Sequence, residues 1–154
     1  MPANKIHTIK DNIKTILDGL VTTGTLKEVQ VDDYKKGLLS RDFTQFPTAI
    51  LTTPTLESTA ATNVQNLRTY TFEIIVVMNA ENITSSFDVE DLIENIINQF
   101  DNDPSLKAGG ATGAADGGVE PSSSTPEAVT SGSKNYIVFG ITVRAKAIRD
   151  LSFV

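Results

Sequence analysis

The chain has 154 residues, with 13 Lys+Arg against 19 Asp+Glu, one histidine and no cysteine. A chain this long buries roughly 70 % of its unfolded surface and needs neither disulfide nor metal to hold a core; without cysteine, disulfides, thiolate catalysis and Cys-ligated metals are excluded. A formal charge of −6 argues against affinity built on neutralising phosphates, and 40 % hydrophobic with 21 % charged residues excludes wholesale disorder.

Met1–Lys5 leads into an amphipathic stretch, so no signal segment is expected, and Ile74–Met78, the longest dense apolar run, is too short to cross a bilayer. Ile6, Ile9, Ile13, Ile16, Leu17 and Leu20 recur at helical spacing and predict a first helix with one apolar stripe, its end bracketed by Gly19 and Gly24. Leu26–Val31 alternates weakly and reads as a short strand. The polar stretch 32–45 reads as a loop, and Phe46–Thr52 as a strand entered at Pro47. The Thr-, Ser-, Ala- and Asn-rich stretch 54–66 reads as a connection or projecting hairpin.

Arg68–Met78 gives the clearest strand signal. Tyr70, Phe72, Ile74, Val76 and Met78 share one face; the other face turns apolar only in its last half, at Ile75 and Val77, so something is expected to cover that half. A second helix follows, with Asp88, Glu90 and Asp91 in its first turns, where the helix dipole favours negative charge. Val89, Leu92, Ile93, Ile96, Ile97 and Phe100 form its buried stripe, and Asn102 and Pro104 stop it. Residues 103–133 hold six of the ten glycines and few large aliphatics, which predicts a long flexible or projecting loop, with Val119–Pro121 as an optional edge strand. Tyr136–Ile148 closes the chain as a long strand. The expected fold is one α+β domain over 1–154: a largely antiparallel sheet of four to five strands flanked by two helices, with a long Gly/Ser/Thr-rich loop.

No catalytic, cofactor or metal site emerges. His7 sits on the first helix with no visible partner, and no nucleophile elbow is present. The acids Asp88, Glu90, Asp91 and Glu94 are explained by solvation and dipole matching, so the expectation is of a non-enzyme. Asp101–Ser105 opens like an EF-hand loop, yet Leu106 occupies the required glycine position. Gly109–Gly113 lacks the Lys-Ser/Thr of a phosphate loop. Arg144, Lys146 and Arg149 read as charges that guard a strand against wrong pairing.

Taken in order, the elements resemble a known family. A first helix precedes Phe46-Pro47-Thr48-Ala49-Ile50; a polar hairpin ends in Arg68-Thr69-Tyr70-Thr71-Phe72-Glu73-Ile74; an acidic helix closes on Phe100–Leu106; and Gly118-Val119-Glu120-Pro121 leads to a last strand. This is similar to the tail terminator and tail completion proteins of the neck of tailed bacteriophages. The resemblance implies a non-enzymatic ring, typically a hexamer, that caps the tail tube protein, ends its polymerisation and meets a head-tail connector or head-closure protein. It places the protein in the virion after assembly in the host cytoplasm, with no membrane partner and with DNA at most passing through the lumen. Phe43, Arg68 and Phe153 are the expected interface residues. The alternatives are a head-closure or other tail-assembly protein of similar fold, and a cytoplasmic small-ligand-binding module closed by the 103–133 loop; a hydrolase using the acidic helix lacks a nucleophile and base.

The negative charge is local. Glu81, Asp88, Glu90, Asp91, Glu94, Asp101 and Asp103 fall between 81 and 106 with no Lys or Arg among them, which leaves 12 acids against 13 bases elsewhere. In a ring this stretch repeats as a band of negative charge and, if that band faces the lumen, it is expected to keep passing DNA from adhering.

Overall fold

A computed structural model describes residues 5–35, 37, 43–107 and 114–150. Two helices and seven strands appear: α1 (Lys5–Thr22), β1 (Glu28–Val31), β2 (Thr48–Leu51), β3 (Thr55–Ala60), β4 (Gln65–Asn79), a single 3₁₀ turn (Ala80–Asn82), α2 (Ser86–Asp101), β5 (Gly118–Ser123), β6 (Glu127–Ser131) and β7 (Lys134–Asp150). The class is α+β, with more strands than the four to five expected.

β4 and β7 form the spine, antiparallel from Gln65↔Asp150 to Asn79↔Tyr136. β2 and β3 lie end to end along the free side of β4, and β5 and β6 lie end to end along the free side of β7. Both joins carry one extra residue. Between Leu51↔Ile74 and Thr55↔Thr71 three residues face two, as they do between Ser123↔Ile141 and Glu127↔Val138. Each interruption behaves as a bulge that ends at a proline, Pro54 or Pro126, which has no N–H to give a ladder. The freed groups are re-bonded locally: the Thr52 N–H and Oγ1 donate to the Glu73 carbonyl, and the Ser124 N–H donates to the Gly140 carbonyl at 2.8 Å. β1 joins the sheet parallel to β2, the one parallel pair among the described residues.

Residues 118–123 and 127–131 therefore correct the expectation of a loop over 103–133. The sequence signal failed there because β5 and β6 are half-buried to exposed and rich in Ser, Thr and Glu. They gain their order from hydrogen bonds to β7 and not from an apolar face of their own. β3 is exposed at all six residues for the same reason.

Both helices cover one face of the sheet. The stripe of Ile9, Ile13, Leu17 and Leu20 meets Tyr70, Phe72, Ile74 and Val76 of β4, the odd residues Phe139–Ala147 of β7, and Val89, Leu92, Ile96 and Phe100 of α2. Several of these side chains are wholly excluded from solvent, and each such burial contributes about 1.5–3 kcal/mol. α1 ends where Gly24 takes φ +86°, a left-handed geometry that glycine adopts at little cost. Asn12 Nδ2 donates to the Leu106 carbonyl at 2.7 Å and ties α1 to the segment after α2.

The opposite face carries a second, smaller cluster of Phe43, Ile50, Val77 and Tyr136, with Phe46, Ile75 and Val138 packed against it. This is the cover that the late apolar turn of β4 calls for. It comes from the connection between β1 and β2: parallel neighbours need a crossover, and this one lays Phe43 and Phe46 on the sheet. The rest of that face is open and polar.

Candidate interaction surfaces

The acidic surface is built by α2. Its apolar stripe turns Val89, Leu92, Ile96 and Phe100 to the core, so Asp88, Glu90, Asp91 and Glu94 are exposed. Asp88 closes the helix start: its Oδ2 accepts from both the N–H and the Oγ1 of Thr84 at 2.9 Å. These bonds hold its carboxyl below the usual range. Glu90, Asp91 and Glu94 pair with no base among the described residues. Phe87 stands in the middle of this acidic surface, 69 % exposed. Spacing places Phe87 opposite the buried stripe, and a large aromatic on the polar side of a helix was the signal by which it could have been found.

The β3–β4 hairpin forms an arm. β3 is exposed throughout and residues 65–69 of β4 are half-buried, so the arm extends past the helix layer. Leu56 and Val64 are exposed along it. Arg68 faces Ser58 on one side and Ala147 on the other. Its Nε is sealed from solvent with no hydrogen-bond partner, and its guanidinium makes no ion pair among the described residues. Across the sheet, Glu120 of β5 bonds Lys146 Nζ at 3.0 Å and lies 3.7 Å from Arg144, so two of the three guarding bases are matched by an acid that sequence reading left out. The Lys146 hydrogen bond and charge, with help from Arg144, hold the Glu120 carboxyl below its ordinary value.

Phe43 is buried and not an exposed contact. Its ring meets Tyr136 edge-on at 5.6 Å and Phe46 at 6.1 Å. Beside this trio lies a cavity of about 320 Å³, rimmed by Asn79, Glu81 and Lys134. Phe153 lies outside the described residues. Structure thus places Arg68 on the arm, Phe43 in the aromatic cluster and the four acids on α2; it does not bring them together.

Among the described residues no group of three His, Cys, Asp or Glu side chains is arranged to hold a metal ion, and no helix is long and apolar enough to cross a membrane. No family model matches the chain, and no curated protein matches it.

Proposed function

We propose that the chain is a neck protein of tailed-bacteriophage particles, assembling in the host cytoplasm as a ring, hexameric in the family it resembles, that caps the tail tube in the virion. The observation that carries this reading is the arm. Six consecutive residues of β3 are exposed, on a hairpin that adds little to the core of its own subunit. A domain that spends sheet on a projecting element gains from it through partners. Among the described residues no further strand flanks β3, which leaves its outer edge facing away from the subunit's own sheet.

In this reading the mechanism is steric. The ring occupies the growing end of the tail tube and presents no surface on which another tube ring can add; its other side receives the head-tail connector or head-closure protein. The unpaired acids of α2 repeat around the ring as a negative band, which repels DNA where it borders the lumen.

The test combines native mass spectrometry and negative-stain imaging of the full chain, alone and with tail tube protein. Closed rings, and tubes whose growth stops when the protein is added, are the expected result. A strict monomer that leaves tube length unchanged overturns the reading. The cavity beside Phe43 and Tyr136 favours a second reading, a small-ligand module; there, native mass spectra would show a bound mass that is lost on Tyr136→Ala.

A further inference from the structure

The cavity beside the aromatic trio lies at the end of the spine where β4 stops and β7 starts. Lys134 and Tyr136 stand two residues apart on β7 and so share one face of the sheet. Asn79 pairs with Tyr136 in the register, which puts it on that face too. Phe43 and Phe46 pack on Tyr136 and Val138 there, and the three rings lie within 6.1 Å of one another, centroid to centroid. Two turns complete the lining. The 3₁₀ turn Ala80–Asn82 brings Glu81 to the cavity, and the β6–β7 turn, in which Gly132 takes φ +65°, brings Ser133 and Lys134.

This lining joins an aromatic part to both signs of charge. Glu81 and Lys134 line the same cavity, yet they form no ion pair with each other or with any other described residue. Asn79 Oδ1 accepts from the Glu81 N–H at 3.1 Å, so its amide nitrogen is the group left to donate. A ligand with a carboxylate alone would be repelled by Glu81, and one with an amine alone by Lys134. A molecule that carries both charges side by side is attracted by both residues, and an aromatic body then meets the rings of Phe46 and Tyr136. The volume of about 320 Å³ admits such a molecule of about a dozen non-hydrogen atoms.

We propose that this cavity binds a free aromatic amino acid as its zwitterion. The ammonium pairs with the Glu81 carboxylate, the carboxylate with Lys134 Nζ and the Asn79 amide, and the ring lies against Phe46 and Tyr136. Phe43, almost wholly buried, holds those two rings in place. A residue within a peptide lacks the two charges on one carbon, so the ligand is the free amino acid. This inference rests on the small-ligand reading and names its ligand; the ring reading does not depend on it.

The test is a ligand-observed NMR titration of the full chain with L-phenylalanine, 3-phenylpropanoate, which lacks the ammonium, and phenethylamine, which lacks the carboxylate. L-Phenylalanine should bind with Kd between about 0.1 mM and about 1 mM, and each analogue at least about tenfold more weakly. Glu81 and Lys134 are exposed, so Glu81→Gln and Lys134→Met should leave Tm unchanged. Glu81→Gln should narrow the gap between L-phenylalanine and 3-phenylpropanoate, and Lys134→Met the gap between L-phenylalanine and phenethylamine. Equal binding of L-phenylalanine and either analogue by the parent chain would overturn the zwitterion site, as would gaps that the two variants leave unchanged. If L-phenylalanine does not bind at about 10 mM, native mass spectra of the purified chain separate the two failures. A bound mass of other chemistry, lost on Tyr136→Ala, would overturn this ligand and leave the small-ligand reading standing; no bound mass would sink both.

Discussion

A Cβ placed on Gly140 would stand 3.1 Å from Oε1 of Glu73, on the open face where the two bulges meet across β4 and β7. The crowding atom is the far end of an exposed, flexible side chain. Gly140→Ala should therefore move Glu73 aside and change stability by less than about 1 kcal/mol, since a strand alanine costs less unfolded-chain entropy than glycine. At Gly117 the same Cβ would meet Lys146 Cβ at 2.8 Å and the Lys146 carbonyl oxygen at 3.0 Å, and Gly117 N–H is bonded to that carbonyl. Backbone cannot swing away, so Gly117→Ala should cost about 1–3 kcal/mol and loosen β5. Urea unfolding of the two variants side by side checks the contrast; equal effects would contradict it.

Asp88 gives the start of α2 a pH dependence whose sign is set. Its folded pKa lies below the ordinary 3.8, because Thr84 donates two hydrogen bonds to the charged form. The stabilisation is complete above the ordinary carboxylate range and disappears as pH falls through the lowered folded value. Asp88→Asn should flatten the fall of Tm between about pH 6 and about pH 2.5. Glu120→Gln should act in the same direction, since Lys146 holds Glu120 low. Salt should weaken the Glu120 effect more than that of Asp88, whose partners are uncharged. Parallel pH melts at low and high salt distinguish the two.

The parts of the fold that were legible in the sequence are those with an apolar period. Tyr70–Met78 and Phe139–Ala147 alternate cleanly and are buried as the alternation requires; the stripes of α1 and α2 are equally plain. Even the second cluster announced itself through Ile75 and Val77, although nothing in the string said that Phe43 and Phe46 would supply it. β3, β5 and β6 were illegible for a physical reason. An edge strand held by backbone bonds to one neighbour needs no apolar face, and Thr, Ser and Glu serve it as well as they serve a loop. The candidate surface suffers the same blindness. Arg68 could be singled out by its place at the start of a strand, but its sealed Nε exists only in three dimensions.

Two buried phenylalanines should differ in what they support. Phe72 is fully excluded from solvent between the helices and β7, so Phe72→Ala should cost about 3–5 kcal/mol and leave little folded protein at growth temperature. Phe43 lies in the small cluster next to an open cavity, where water can occupy the vacated space. Phe43→Ala should cost about 3 kcal/mol, the low end for such truncations, and keep the β4–β7 spine intact. Hydrogen exchange tests the distinction: amides of β2 and the Tyr136 end of β7 should lose protection in Phe43→Ala, while those of Phe72 and Ile141 should keep it. Uniform loss across the sheet would mean that the second cluster is part of one cooperative core.

Phe87 separates stability from association. It is exposed on the first turn of α2, surrounded at helical spacing by Glu90, Asp91 and Glu94, and it fills no space in the core. Phe87→Ser should leave the free energy of unfolding in urea within about 0.5 kcal/mol of the parent. An exposed aromatic set among carboxylates has the make-up of a binding anchor, whose loss typically costs at least about 2 kcal/mol of affinity. If α2 meets the tube or the connector, Phe87→Ser should therefore weaken that contact by more than about tenfold. If α2 instead faces the lumen, Phe87→Ser should leave binding to both partners unchanged, while charge reversal at Glu90 and Glu94 should increase DNA retention by the isolated ring. Binding to tube ends and a DNA mobility shift, run on the same preparations, decide which way the acidic helix points.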